Sequence, residues 1–332
     1  MIRIINADEN YARRMDEEVI PYLKERMGDG YIETVKDQPL YYRSFKAGEP
    51  RAVVVMVHGF TEGIGKFNEM VWYFLQNGFH VWQLQLREHG RSARSVEDLK
   101  VVHISDFRQL IRDLHGFVTD VVRKSESSAG LPMMLYAHSM GGGVGACYLE
   151  VYPNDFEKAV LSSPMLGMNS GNMPLWAAEG YARVMEVIGR GTSWMPGSVP
   201  FSGEEDLDNS CSDCLPRYRY WLEQQRKDVH QQMSISTIST ALEFLKLTRY
   251  AVSRANVRAI RAKVLVFQAG LDNMVAPEGQ ETFVRLLGGA GELVRFPEAK
   301  HEIYLCKDET LKEYLEKVFR FFDVSKTEAA QS

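Results

Sequence analysis

Residues 134–145 read MLYAHSMGGGVG, and the reading of this stretch decides the fold. The run LPMMLYA (131–137) has the length and apolar character of a buried strand, and the glycines after it open a helical segment from Gly141 to Tyr152. A strand that turns sharply into a helix has two chemical uses. Its glycines can cradle a phosphate, or the turn can present Ser139 as a nucleophile. The first use calls for an acidic residue at the end of the next strand to receive a ribose hydroxyl, and that strand ends in LSSP (161–164) with none. The glycines are therefore read as steric, allowing the helix start to pack closely on the sheet.

Working outward, short apolar runs alternate with helical patterns over most of the chain, as in a largely parallel sheet with helices on both faces. Strands are expected at 31–36, 40–46, 52–57, 80–86, 131–137, 159–163, 263–269 and 292–296, the first two forming an antiparallel edge hairpin. Helices are expected at 67–78, 106–124, 278–289 and 309–324, followed by a polar tail at 325–332. The alternation breaks between about Pro164 and Ala255, where a Met- and Trp-rich start (Met165, Met168, Met173, Trp176, Met185, Trp194, Met195) leads into a polar loop and two helical stretches. This segment is read as an α-helical cap inserted into the core. The organisation is then core at 1–163, cap at 164–255 and core again at 256–332.

Sites in such sheets form at the carboxyl ends of the strands. Those positions hold His58-Gly59-Phe60, Arg87-Glu88-His89-Gly90, His138-Ser139-Met140, Asp272 and His301. A serine, an acid and a histidine follow in the chain order Ser139, Asp272, His301, the order of a hydrolase built on a strand–turn–helix elbow. A serine hydroxyl alone is a poor nucleophile. It needs a histidine to take its proton and a carboxylate to hold that imidazole in the right tautomer. The elbow also demands small residues two before and two after the serine, met by Gly141 and nearly met by Ala137. The Phe60 and Met140 backbone N–H groups are the candidate oxyanion donors. His58, Glu62, Glu88 and His89 stand near the site, but strand-end turns use such residues to fix loops, so they are not assigned catalysis.

Composition limits the alternatives. With 332 residues, 45% of them hydrophobic, the chain can bury a substantial core. A net charge of −5 gives no reason to expect nucleic acid as a partner. The first residues hold no unbroken apolar segment of a secretory signal, and the apolar runs are too short to span a bilayer, so a cytoplasmic location is expected. Cys211 and Cys214 form a C-x-x-C without a second pair or a histidine couple and are read as free thiols, with no metal or cofactor expected. Arg217, Arg219, Arg226 and Lys227 could attract a phosphate head group or form a solvated helix face.

Taken together, HGFTEG (58–63), LREHGRS (86–92), AHSMGGG (137–143), SSPMLGM (162–168), LDNMV (271–275) and KHEIYLCKDE (300–309) resemble the lysophospholipase and monoacylglycerol lipase branch of the α/β-hydrolases, also described as serine-aminopeptidase-like hydrolases. The resemblance runs from about Tyr31 to Phe322. It implies Ser139 as nucleophile, Asp272 as acid, His301 as base, Phe60 and Met140 as oxyanion donors, and the 164–255 segment as a lid over an acyl-binding channel. Gln85 departs from it, standing where many relatives carry an aspartate.

The expected activity is hydrolysis of a single-chain acyl ester, a lysophospholipid or monoacylglycerol, through an acyl-Ser139 intermediate. A short-chain or aryl esterase and an aminopeptidase-like hydrolase are the alternatives in the same chemistry. A non-catalytic receptor on this fold is disfavoured because all three triad residue types are kept. The Met-rich start of the cap suits contact with an acyl chain or a membrane surface, and suits ordinary cap packing equally.

Overall fold

The computed structural model describes residues 2–169 and 174–323, so Met173, Val324 and the tail 325–332 lie outside the described residues. Eight strands form one sheet: β1 (Met27–Glu33), β2 (Pro39–Phe45), β3 (Ala52–Val57), β4 (Phe79–Leu84), β5 (Met133–His138), β6 (Lys158–Ser162), β7 (Lys263–Ala269) and β8 (Gly291–Phe296). Their spatial order is β1-β2-β4-β3-β5-β6-β7-β8. β1–β2 and β2–β4 pair antiparallel, and every other pairing is parallel.

β3 through β6 are buried along almost their whole length because helices cover both of their faces, and β3 (AVVVMV) is apolar throughout. Along β3 the alternation assigns Val53, Val55 and Val57 to one layer and Ala52, Val54 and Met56 to the other. The first layer is closed by helices Phe107–Phe117, Ser139–Val151 and Ile238–Ala251, the second by Asn68–Gln76 and Asp308–Phe321. Among the described residues no helix is long and apolar enough to cross a membrane.

Two N-terminal elements depart from the sequence reading. β1 starts at Met27, four residues before the expected Tyr31, and ends at Glu33. It is an exposed edge strand, so its side chains carry no apolar alternation, and its limits are set by pairing from Met27↔Phe45 to Glu33↔Pro39. Ahead of it, helical turns run through Tyr11–Arg14, a π-helical Met15–Val19 and Ile20–Arg26. Tyr11, Met15, Val19 and Leu23 form a buried stripe four residues apart, which the dense charges between them mask in the sequence.

Between β6 and β7 lie helices Leu175–Val187, Leu215–Lys227 and Ile238–Ala251. The last belongs physically to the core: Leu247 and Ala251 are fully buried in the same cluster as Val144 and Cys147 of the helix after β5. The middle one is tied down by Arg217, which is buried, contrary to its reading as part of a basic surface able to meet a phosphate. Its Nε donates to Glu69 Oε2 at 3.1 Å, Nη1 to Asp308 Oδ1 at 2.8 Å and to the Cys306 carbonyl at 2.9 Å, and Nη2 to the Ile5 carbonyl at 2.8 Å. Of the other basic residues, Arg219 pairs with Glu205, Arg226 pairs with Glu223, and Lys227 is exposed.

Removing one partner of a buried ion pair strands the other charge, at a cost of about 3–5 kcal/mol. Arg217→Ala is therefore expected to lower the unfolding free energy by about 3–5 kcal/mol, read as a fall in the urea midpoint. An unchanged midpoint would show that Glu69 finds other donors.

Candidate active site

The site is assembled from the carboxyl ends of β3, β5, β7 and β8. Ser139 follows β5 directly and starts the helix Ser139–Val151, with a left-handed φ of +53° that L-residues seldom adopt. Gly141 is required here: a Cβ at this position would collide with the Val57 and His58 carbonyl oxygens at the end of β3. Ala137 is fully buried beneath the turn.

Ser139 Oγ lies 2.8 Å from His301 Nε2, and His301 Nδ1 lies 2.7 Å from Asp272 Oδ2. The other Asp272 oxygen accepts from the Met274 N–H at 2.8 Å and the Val275 N–H at 3.1 Å. Burial pushes the Asp272 carboxyl up, but the His301 hydrogen bond and charge, with the two backbone donors, bring it below the usual carboxylate range. An ionised Asp272 takes the Nδ1 proton as a hydrogen bond, which leaves Nε2 as an acceptor for the serine hydroxyl.

The loop after β3 is held by hydrogen bonds on either side of Phe60. The Leu86 N–H donates to His58 Nε2 at 2.9 Å, so His58 Nδ1 carries the proton and donates to the Gly59 carbonyl at 2.7 Å. The Gly59 N–H donates to Glu62 Oε2 at 2.7 Å and the Thr61 N–H to His89 Nε2 at 3.3 Å. Between them, the Phe60 N–H has no partner among the described residues. The Met140 N–H lies in the first turn of its helix, where no intrahelical acceptor exists. Two unspent donors thus flank Ser139, while His58 and His89 fix the loop.

Below the loop lies a buried ionic group. Glu62 Oε1 accepts from Lys66 Nζ at 2.9 Å and from the Tyr304 hydroxyl at 2.9 Å, and Lys66 Nζ also donates to Glu302 Oε1 at 2.5 Å. Burial alone would raise Glu62, but Lys66 and its other partners hold it far below the carboxylate range. Burial alone would lower Lys66, yet the Glu302 and Glu62 charges keep it protonated. His138 sits with Nε2 3.8 Å from Glu62 Oε1, and burial pushes it down to about 3. Sequence reasoning left Glu62 unassigned and passed over Lys66, Glu302 and Tyr304. The usable signals were the four-residue spacing of Glu62 and Lys66 and the placement of Glu302 beside His301.

Cys211 and Cys214 are free thiols, both raised by burial. Cys214 is buried and its Sγ accepts from Arg217 Nη1 at 3.4 Å. No cluster able to hold a metal ion occurs among the described residues. Gln85 is buried: its backbone carbonyl accepts from Ser92 Oγ at 2.6 Å and its side chain lies against Gly90.

A parallel sheet with antiparallel edge strands, a strained serine at a strand–helix turn and a histidine–aspartate pair opposite it define an α/β-hydrolase. The chain belongs to the serine aminopeptidase S33 family, whose model matches residues 48–308. It is 28% identical to a monoacylglycerol lipase of Mycolicibacterium smegmatis over 77% of this chain and 83% of that protein. It is 25% identical to a probable lysophospholipase L2 of Haemophilus influenzae over 92% of this chain and 95% of that protein. In fold it is similar to a soluble variant of monoglyceride lipase from Saccharomyces cerevisiae solved with a substrate analog, with a TM-score of 0.70 at 17% identity over 89% of this chain and 94% of that one.

His58, His89 and His138 are all lowered, first by burial, from the ordinary value of 6.5. Each stays neutral when folded and takes up a proton on unfolding below that value. Stability is then full above pH 6.5 and falls as pH drops from there toward the folded-state values, with a slope approaching about 1.4 kcal/mol per pH unit for each histidine. Urea midpoints should decline steadily between about pH 6.5 and about pH 5. A flat profile over that interval would mean these rings are protonated in the fold.

Proposed function

We propose that Ser139 attacks the carbonyl carbon of a single-chain acyl ester, a monoacylglycerol or lysophospholipid, with His301 as general base and Asp272 as the group that orients it. The observation that carries this reading is the unbroken hydrogen-bonded series from Ser139 Oγ through His301 to Asp272. As the Oγ–carbon bond forms, the hydroxyl proton passes to His301 Nε2 and negative charge collects on the former carbonyl oxygen. The Phe60 and Met140 N–H groups receive that charge. Collapse expels the alcohol, which takes the proton from His301 and leaves an acyl-Ser139 ester. Water then attacks, gives its proton to His301, and the fatty acid departs as Oγ is reprotonated. No metal or cofactor enters the scheme.

The relatives' names support the ester class, and a cavity in the inserted segment supports the acyl chain. It has a volume of about 460 Å³ and is lined by Met168, Leu175, Tyr181, Met195 and Leu245 among others. The bridge Met168↔Val275 sets it next to Met274, which lines the Ser139 cavity. The residues over the site, within 164–255, act as a lid in this reading. Met168 and Met195 meet the ligand, whereas Met165 is core and Met185 packs beside Ala182 and Ile238.

The helix Leu175–Val187 also carries exposed apolar side chains, with Trp176 77% and Val187 87% exposed and Val184 and Ile188 beside them. In this proposal they rest on the lipid surface that holds the substrate.

A fluorophosphonate probe should label the parent protein and spare Ser139→Ala, whose turnover of a long-chain monoacylglycerol should fall at least about 1000-fold. Equal labelling of both proteins would remove Ser139 from the nucleophile role. A preference for acetyl or aminoacyl substrates would instead replace the lipid reading. Val187→Glu should weaken sedimentation with phosphatidylcholine vesicles about tenfold and leave hydrolysis of a soluble short-chain ester unchanged. Unaltered sedimentation would place the membrane contact elsewhere.

A further inference from the structure

We infer that the alcohol side of the site selects an uncharged polyhydroxyl leaving group and discriminates against one carrying a phosphate. The inference rests on the ester-hydrolase reading above and narrows its substrate. Ser139 and His301 open into a second cavity, of about 200 Å³, whose walls include Glu62, Lys66, Tyr218, Trp221, Gln225 and Glu302. It is smaller than the 460 Å³ cavity beyond Met274 and more polar in its lining, which mixes Glu62, Lys66, Gln225 and Glu302 with Phe60, Trp221 and Met233, and so suits an alcohol better than an acyl chain.

The charges of this cavity decide what it accepts. Among the described residues, Lys66 is the only lysine or arginine lining it. Its ammonium lies between Glu62 at 2.9 Å and Glu302 at 2.5 Å, so it has no charge left to offer a ligand. Two carboxylates against one ammonium leave the wall with a net charge of −1, and Asp272 behind His301 adds another negative charge. The other wall groups include the Trp221 indole, the Gln225 amide and the Thr61 and Ser210 hydroxyls, which bring no cation. A phosphate placed here would meet like charge with no compensating cation, and it would lose its water in doing so.

A hydroxylated alcohol meets the opposite situation. Glu302 uses one oxygen for Lys66, and no described residue donates to the other. That oxygen is also absent from the sealed, partnerless atoms of the interior, so it remains accessible from the cavity. A ligand hydroxyl can donate to it without displacing a protein bond. Glycerol or a similar polyol satisfies this acceptor, and a phosphate monoester or diester, which at neutral pH offers mainly acceptors, does not.

The test compares kcat/KM for two monomeric substrates with the same short acyl chain, a monoacylglycerol and the corresponding lysophosphatidylglycerol, at low and high salt. The parent should favour the monoacylglycerol by about 10- to 100-fold at low salt, and the gap should narrow as salt screens the repulsion. Glu302→Gln removes one negative charge and should shrink the low-salt gap several-fold. Equal rates on the two substrates, or a gap indifferent both to salt and to Glu302→Gln, would overturn the inference. If that variant fails to fold, the salt dependence of the parent still decides. A parent that binds the fluorophosphonate probe but hydrolyses neither lipid would overturn the underlying ester reading, and this inference with it, whereas equal hydrolysis of both would overturn only the selectivity.

Discussion

The left-handed backbone at Ser139 is the constraint on which the rest of the site depends. A non-glycine residue in this region costs on the order of 1–3 kcal/mol, so the surroundings must over-determine it. They do so by contact on every side. The helix start is pressed against the end of β3 at Gly141, against Pro164 at Gly142 and against Met165 and Leu247 at Gly143. The Met165 N–H donates to the Ser139 carbonyl at 2.8 Å, which fixes the turn from the next strand's loop. Each glycine of the GGG run therefore faces a different neighbour, and none is spare for binding a phosphate.

That close approach has a consequence for the opposite side of the site. Because the β3 loop must pass against Ser139, a Cβ on Gly59 would come to 3.0 Å from the serine Cβ, and the apolar anchor of the loop is Phe60, packed edge-on against Phe244. Polar ties do the rest. His58 and His89 hold the peptides around Phe60 from one side, and Glu62 holds Gly59 from below. Glu62 in turn is held ionised against its burial chiefly by Lys66, and it also accepts from Tyr304, which lies in the short helical turn just after His301. The loop that would offer an oxyanion donor and the segment that carries the histidine share one buried charge group. Disturbing either end must be felt at the other, since an unpaired buried charge is far costlier than the pair.

How much of this was legible in the sequence follows from which forces leave a local trace. β3 through β7 lie between two helical layers and show up as apolar runs, and the elbow shows up because its steric demand falls on residues two positions either side of Ser139. Placing Asp272 and His301 required only that they follow strands in the right order. The N-terminal helical turns left a faint trace, since Glu, Arg and Lys side chains fill the positions between Tyr11, Met15, Val19 and Leu23. β1 and its hairpin with β2 were legible, but its limits were not, being fixed by pairing with its partner at an exposed edge. Arg217 and Lys66 were missed for a more basic reason. A cation reads as a surface residue unless its partners are known: Glu69 lies 148 positions from Arg217 and Glu302 lies 236 from Lys66, so that only the Glu62–Lys66 spacing left a local trace.

The same contacts rank how readily parts of the inserted segment can be displaced from the site. Moving the helix Ile238–Ala251 would withdraw Phe244, Leu247 and Ala251 from the main core, a loss of several buried side chains at once. Moving Leu215–Lys227 would strip Glu69 and Asp308 of Arg217. The helix Leu175–Val187 is held far less firmly. Its buried contact is the small cluster of Ala182, Ile238 and Leu242, and its ion pair, Glu179 with Arg249, is half exposed on the arginine side. Such a pair contributes about 0–1 kcal/mol. Of the three helices, the one that lines the apolar cavity and shows Trp176 and Val187 to solvent is thus the one whose displacement costs least, and under the proposed function it is where an acyl chain would enter without loosening Ser139 or its supports.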